Sequence, residues 1–135
     1  MYSGGDELYE DPTFPADETS LVWRDYIRND KGLDLAERVD HWARPSELVK
    51  NNPTLWGWEG VLPDGTDQGT IGDCWFLSAA SALAENGKRI KELFSNDEYD
   101  SAGIFQIWFY KMGEWLPITI DDRLPIGSDG LPVAA

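Results

Sequence analysis

Cysteine and histidine are the scarcest reactive residues in this chain of 135 residues, which contains one of each, Cys74 and His41. A single cysteine cannot form an intramolecular disulfide, so the sequence does not require an oxidising compartment. The N-terminus also lacks the charged and then apolar pattern of a secretory signal. The two absences together predict a cytoplasmic protein.

Long apolar runs and basic clusters are missing as well. No apolar stretch reaches the roughly 18 residues of a membrane-spanning helix, so we expect no transmembrane segment. The chain has 25 acidic and 11 basic residues and a formal net charge of −14. This charge repels phosphate backbones, which excludes nucleic acid as a partner. The hydrophobic content of 41% still permits a packed core.

The one cysteine lies where a thiol gains reactivity. A loop with two glycines leads to Asp73, which suits an N-cap, and residues 74–85 are good helix formers that stop at Asn86-Gly87. We therefore predict a helix that begins at Cys74. The free backbone N–H groups and the positive end of the helix dipole favour the thiolate there.

Gln68 precedes Cys74 in the same loop and carries a side-chain amide. Such an amide is a candidate donor to the oxygen of a carbonyl that the thiolate attacks. The plainer interpretation of a lone cysteine is a small buried hydrophobe. The spacing alone leaves both interpretations open.

The residues around Cys74 resemble the active-site cysteine segment of the calpain family of cysteine proteases. Other segments are similar to the same family, in the same order: residues 11–16, 42–47, 102–105, 113–115 and 121–125. The resemblance covers residues 11–126. It implies that Cys74 is the nucleophile and Gln68 the oxyanion-hole side chain of a calcium-dependent endopeptidase, which would cut intracellular proteins in a limited way.

The resemblance also implies an α+β, papain-like fold. The chain would hold mainly the N-terminal α-rich half of that fold, with a β-hairpin at its C-terminal end. Residues 1–20 are then an exposed acidic arm, for which Phe14 and Tyr9 are the candidate anchors. Residues 21–127 form the first half of the catalytic core, and residues 128–135 form a tail or a truncation point.

The catalytic His and Asn of the family come from a second half that lies downstream of these residues. His41 precedes Cys74 and does not match the family's position, so we assign neither residue here. We expect the chain alone to be inactive, with protein substrates and the second half or further domains as its partners. A second hypothesis is a catalytically inactive calpain-like interaction module or a truncated product. A third is thiol chemistry with His41 folded onto Cys74.

The resemblance also implies a calcium site, because calpain cores bind Ca²⁺ beside the active-site loop. Gly60 and Asp64 fall near the family's ligand positions after a small shift in alignment. No segment fits the loop pattern of an EF-hand. In so acidic a chain, a solvated surface carboxylate is the plainer interpretation of any single Asp.

The remaining patterns predict local structure. Residues 103–110 and 114–121 are typical of a hairpin, and Pro117 indicates an edge strand or a bulge in its second arm. The small residues of the Cys74 helix favour a helix buried on all sides. A second helix is predicted over residues 89–94. Residues 51–67 are predicted to be a loop that Trp56 and Trp58 hold down.

Three further segments need an interpretation. Residues 21–28 suit either a short helix or an extended segment, and residues 29–40 form a polar surface segment. Trp75 either lines the cleft floor or packs against its own helix. Asp121 and Asp122 are adjacent in a strand, where they point to opposite faces, so they cannot act as a paired acid and base.

Overall fold

A computed structural model of the protein describes residues 7–21, 33–65 and 73–133. Its elements in chain order are a 3-10 helix (Glu18–Ser20), α1 (Leu33–Arg38), β1 (His41–Ala43), α2 (Pro45–Leu48), α3 (Cys74–Ala84), α4 (Gly87–Leu93), β2 (Ile104–Lys111), β3 (Glu114–Asp121) and β4 (Leu124–Ile126). Helices and strands are mixed in this part of the chain. The papain-like arrangement itself stays a prediction, and so do the three domain ranges.

The predicted hairpin is confirmed. Strands β2 and β3 pair antiparallel in one unbroken register, from Ile104 opposite Asp121 to Lys111 opposite Glu114. The two turn residues, Met112 and Gly113, both have positive φ angles of 52° and 85°. Two successive positive φ angles define the type I′ turn, whose twist matches that of the flanking strands.

Pro117 lies opposite Trp108, and the register continues through this pair without a bulge. In a hairpin with a two-residue turn the closing pair is hydrogen-bonded, and hydrogen-bonded and non-hydrogen-bonded pairs then alternate. The Trp108–Pro117 pair is the fourth from the turn and therefore a non-hydrogen-bonded one. The missing N–H of Pro117 would face away from β2, where no described strand pairs with β3. Of the two alternatives for this arm, the edge strand is confirmed.

The other edge of β2 is covered by the chain that leaves α4. Phe94 forms a bridge with Ile107, and the backbone N–H of Ser95 donates to the oxygen of Gln106 at 2.9 Å. The Asn96 side chain then makes the two hydrogen bonds to β2 that the backbone of a paired strand would make. It accepts from the N–H of Gln106 at 3.0 Å and donates to the oxygen of Ile104 at 3.2 Å.

Strands β1 and β4 form a second, smaller antiparallel sheet, in which His41 lies opposite Ile126. Ile126 is fully buried, and the backbone N–H of Asp40 donates to its oxygen at 2.7 Å. Beyond β4 the chain turns back, so that Val133 is buried and its N–H donates to the oxygen of Pro125 at 3.0 Å. Within the predicted tail, Val133 packs on this sheet and Pro132 forms a bridge with Ile126, while residues 128–132 are exposed.

A buried polar cluster joins the two sheets. The Arg44 guanidinium Nη1 lies 2.5 Å from Oδ1 of Asp122, and its Nη2 donates to the backbone oxygen of Tyr9 at 2.6 Å. The hydroxyl of Tyr99 donates to the other oxygen of Asp122. Burial, followed by this bond to a carboxylate, raises the pKa of Tyr99 to about 12.

Asp121 belongs to a separate network, which confirms that the two adjacent carboxylates do not act together. It accepts from the side chain of Arg123, with Nε at 2.8 Å, and from the backbone N–H of Asp11 at 2.9 Å. Burial raises the pKa of Asp121, but the hydrogen bonds from Arg123 and Asp11 outweigh burial and leave the pKa below its usual value.

Backbone hydrogen bonds attach the N-terminal arm to the rest of the fold, and the Asp11 carboxylate orders the turn that follows it. The N–H of Tyr9 donates to the oxygen of Ala102 at 2.8 Å, and the buried Asp11 carboxylate accepts from the N–H and hydroxyl of Thr13 at 2.8 Å. Phe14 is exposed, so the prediction that it anchors the arm is wrong. The arm is attached through backbone hydrogen bonds, which the phenyl ring of Phe14 cannot form.

Helix α3 is exposed over most of its length, contrary to the prediction of a buried helix. Only Ala84 of this helix is buried, while Trp75, Phe76 and Leu83 are exposed. Helix α4 and the loop before residue 66 cover one side, since a cavity of about 260 Å³ between them is lined by Trp56, Ala80 and Ile90 among others. Small side chains allow another segment to pack closely on every side of the helix, but they do not determine whether such a segment is present.

Local predictions elsewhere are mixed. The helix predicted over residues 89–94 is confirmed as α4, which spans Gly87–Leu93, and residues 51–65 contain no helix or strand. Trp56 packs edge-on against Phe94, with ring centroids 4.9 Å apart, as a loop anchor should. Trp58 is almost fully exposed and anchors nothing. Helix α1 lies within residues 29–40, which were predicted to be a polar surface segment. Residues 22–32 lie outside the described residues, so the two alternatives for residues 21–28 stay predictions.

Candidate functional site

Cys74 is the first residue of α3, as predicted, and it is a free and exposed thiol. The backbone oxygen of Asp73 accepts from the N–H groups of Phe76 and Leu77, at 2.8 and 3.1 Å. No described residue accepts from the N–H groups of Cys74 and Trp75, which open the helix. The sulfur therefore lies at the end of the helix where free N–H groups and the positive end of the helix dipole are found.

Asp73 occupies the N-cap position but does not cap the helix with its side chain. Its Oδ1 atom is buried and has no hydrogen-bond partner in the described part of the chain. The expectation of a side-chain cap is therefore wrong, while the predicted helix start is correct. Because the carboxylate makes no cap hydrogen bond, the opening N–H groups have no acceptor on the Asp73 side chain.

Ser78 lies one turn after Cys74 and stabilises the first turn of α3. Its hydroxyl donates to the backbone oxygen of Cys74 at 2.7 Å. This contact was not anticipated from the sequence, although serine four residues after the cysteine is the spacing at which such a back-bond forms. It fixes the Cys74 carbonyl and leaves the thiol free.

The other predicted residues near the thiol are less defined. Gln68 lies outside the described residues, so its role as an oxyanion donor stays a prediction. Trp75 is 75% exposed and contacts the ring of Phe76 edge-on at 5.9 Å between centroids. At that exposure Trp75 is not buried against its own helix, and the cleft-floor interpretation stays a prediction.

His41 is held by a neighbour other than the cysteine. Its Nδ1 lies 2.9 Å from Oδ2 of Asp40, and both side chains are exposed. His41 sits on β1, which pairs with β4, whereas Cys74 opens α3, which packs on α4. Among the described residues no hydrogen bond or ion pair joins His41 to Cys74, so nothing supports the hypothesis of a Cys–His pair within this chain.

The described residues do not bring Gly60 and Asp64 together with a cluster of acidic side chains. Within residues 7–21, 33–65 and 73–133 no group of three or more His, Cys, Asp or Glu side chains is placed to hold a metal ion. Gly60 has a positive φ of 77° and offers only backbone oxygen, and Asp64 is exposed. One carboxylate and one carbonyl fall short of the six to eight oxygen ligands of Ca²⁺. The Gly60–Asp64 site therefore stays a prediction.

The comparisons with known proteins converge on one family. Residues 9–134 match the sequence model of the family described as "Calpain family cysteine protease". The chain is 36% identical to "Calpain-type cysteine protease DEK1" of Arabidopsis thaliana, over an alignment that covers 97% of the length of this chain. It is 38% identical to "Calpain-8" of Mus musculus and 34% identical to "Calpain-2 catalytic subunit" of Bos taurus, each over 87% of its length.

The chain is much shorter than these relatives. It spans 6% of the Arabidopsis thaliana protein and 16% of each of the two mammalian proteins. In the part of the chain that the structure describes, no helix combines the length and the apolar character needed to cross a membrane.

Proposed function

The chain belongs to the calpain family of cysteine proteases, and from that membership we propose that it is the nucleophile-bearing part of a calpain-like endopeptidase. Family membership supports a protease with protein substrates. The finer proposal is that Cys74 is the nucleophile, that Gln68 donates to the oxyanion, and that the protein cuts intracellular proteins in a limited way.

One observation carries this proposal: an exposed thiol stands at the first position of a helix, inside the region that matches the family. An enzyme nucleophile must be reachable by its substrate and stabilised as an anion. Exposure meets the first condition, and the start of a helix is a position at which proteins commonly meet the second. A buried structural cysteine would meet neither.

The proposed reaction begins when the Cys74 sulfur attacks a peptide carbonyl carbon. The carbonyl oxygen takes up negative charge, and the N–H of Cys74 and the amide of Gln68 would donate to it. Collapse of this tetrahedral species breaks the C–N bond, and the released amine needs a proton from an acid. Since His41 is held by Asp40, we assign that proton transfer to an imidazole outside this sequence. Water then hydrolyses the thioester.

The test of this assignment uses the polypeptide that joins this chain to a His- and Asn-bearing second half. We expect Cys74→Ser to abolish cleavage of a denatured protein substrate. Gln68→Ala should lower kcat by about 100-fold, the effect of losing one oxyanion donor. Gln106→Ala is the matched control, because Gln106 lies on β2 and bonds Ser95 and Thr119. Undiminished turnover in either of the first two variants would contradict the assignment.

Calcium dependence is a separate part of the proposal, and the family resemblance supports it. We propose that Gly60 and Asp64 contribute ligands to an ion that is completed by residues outside the described ranges. Isothermal titration of the joined protein with Ca²⁺ checks this directly, with Asp64→Asn expected to weaken binding and Asp129→Asn as the surface control. Equal affinity in both variants would remove Asp64 from the site.

The competing proposal is a catalytically inactive calpain-like interaction module, because the single histidine of this sequence, His41, does not match the family's catalytic position and no catalytic Asn is assigned. Labelling with an epoxide inactivator of cysteine proteases separates the two functions. Stoichiometric modification of Cys74 in the joined protein, faster than that of free cysteine, supports the protease. Labelling at the rate of free cysteine supports the module.

We also propose a cytoplasmic location, because an exposed single thiol persists best in a reducing compartment. Fractionation of cells that express the joined protein checks it. Recovery with the membrane or secreted fraction would contradict it.

A further inference from the structure

The cavity of about 260 Å³ between α3, α4 and the loop of residues 55–65 has an apolar lining. None of the described residues that line it is charged, although charged residues make up 27% of the chain. A cavity with few polar side chains holds water poorly, because a buried water needs two or more polar partners. The lining atoms therefore lack contacts on one side, and a molecule of the right shape would supply them.

Small residues on both walls create this space. The helix side includes Ala80 and Ala84, which lie one turn apart on α3. The loop side includes Gly60 and Gly65, and a Cβ atom at Gly60 would meet no other atom within 4 Å. The cavity therefore exists because the side chains that could fill it are short or absent.

The walls are held in place by contacts outside the cavity. Trp56 packs edge-on against Phe94, with 4.9 Å between ring centroids, and its Nε1 donates to the backbone oxygen of Asp97 at 3.1 Å. Val61 lies against the start of α4, since a Cβ atom at Gly87 would be 3.0 Å from the Val61 oxygen. A ligand would therefore enter a site that is already ordered, which favours affinity.

We propose that this cavity binds a small, neutral, bicyclic aromatic molecule of the size of indole. An apolar cavity of about 150 Å³ binds benzene, and drug-sized ligands occupy about 300–1,000 Å³. The volume of about 260 Å³ lies between these limits, so it suits two fused rings and excludes a helix of a partner protein. The uncharged lining excludes a charged ligand, because the burial of an unpaired charge is costly.

The proposed site is separate from the proposed protease function, because Cys74 is not among the described residues that line the cavity. The site nevertheless joins two segments which that function uses. Helix α3 begins at Cys74, and the loop contains Gly60 and Asp64. A bound aromatic molecule would contact both segments and hold the loop against α3.

Isothermal titration of the full chain with indole tests the proposal. We expect saturable binding at one site, with a dissociation constant of about 1 mM or lower. The enthalpy should be favourable, as is frequent when an apolar ligand enters a preformed apolar pocket. Indole-3-acetate, which carries a carboxylate, should bind at least about tenfold more weakly than indole.

Two variants of α3 locate the binding. Ala80→Leu should weaken the affinity for indole by at least about tenfold, because the longer side chain occupies the cavity. Ala79→Leu is the matched control, since Ala79 is exposed on the same helix, and it should leave the affinity unchanged. Amide chemical shifts of the unsubstituted chain give a second measurement that needs no variant. Indole should move the signals of Val61, Ala84 and Ile90, which line the cavity.

Any of four results would overturn the proposal. The unsubstituted chain could fail to bind indole saturably, or it could bind indole-3-acetate as tightly as indole. Equal affinities of Ala80→Leu and Ala79→Leu would place the binding elsewhere. Amide shifts that leave Val61, Ala84 and Ile90 unchanged would do the same, and they decide the matter even if Ala80→Leu does not fold.

Discussion

Arg44 and Asp122 form a buried ion pair across the molecule, with 2.5 Å between Nη1 and Oδ1 and only 6% of each side chain exposed. Arg44 follows β1 and Asp122 follows β3, so the pair connects the two sheets. The same guanidinium also holds the backbone of Tyr9 in the N-terminal arm. Loss of this one side chain therefore releases three segments.

We expect Arg44→Ala to lower the free energy of unfolding by about 3–5 kcal/mol, because Asp122 would stay buried without its counter-charge. Urea unfolding checks this value. The matched control is Lys88→Ala in the exposed pair with Glu92, whose N–O distance is 3.6 Å. That change should cost less than about 0.5 kcal/mol. If both variants lost a similar amount of unfolding free energy, the buried pair would contribute no more to stability than the exposed pair.

Gly103 lies against this pair with a positive φ of 70°. A Cβ atom would contact Nη1 of Arg44 and lie 2.7 Å from Oδ1 of Asp122. Gly130→Ala is the control, because its φ of 79° is similar but no atom lies within 4 Å of the added carbon. The left-handed conformation should cost both variants about 1–2 kcal/mol. Gly103→Ala should lose about 1–3 kcal/mol more through overpacking, and equal unfolding midpoints would contradict this.

Tyr99 makes the stability sensitive to alkaline pH. Its pKa is raised from 10.0 to about 12 in the folded chain, so the folded state retains a proton that the unfolded state releases. The stabilisation is complete below pH 10 and is lost as the pH rises toward 12. Tyr99→Phe should remove this part of the pH dependence, because phenylalanine carries no ionisable proton. Unfolding midpoints measured across that range check it, and an unchanged slope in the variant would exclude Tyr99 as the cause.

Replacing Met112 by asparagine should make the hairpin more stable. It is 95% exposed and has a φ of 52°, a conformation that asparagine adopts far more readily. Met112→Asn would create the Asn-Gly pair preferred in type I′ turns and should raise the free energy of unfolding by about 1 kcal/mol at most. Met112→Leu is the control and should change little. A loss of stability in the asparagine variant would contradict the turn assignment.

Sequence reasoning succeeded where the cause of a structure is local. The helix start at Cys74 follows from helix propensity after a glycine-containing loop, and the hairpin follows from two β-rich arms around a glycine. The family was also identified correctly, because its residues around Cys74 are specific. The same reasoning failed for Phe14, Trp58 and the burial of α3, since burial depends on which distant segment packs against a side chain.

The local sequence determined the α+β character, the helix that presents Cys74, and the hairpin from Ile104 to Asp121. All three depend on contacts between residues close in the chain. Tertiary structure alone decided that Arg44 meets Asp122 and that β1, the strand of His41, pairs with β4. These arrangements join residues far apart in the chain, and many partners of the same charge were available in so acidic a sequence. Only the packing of the two sheets selects among them.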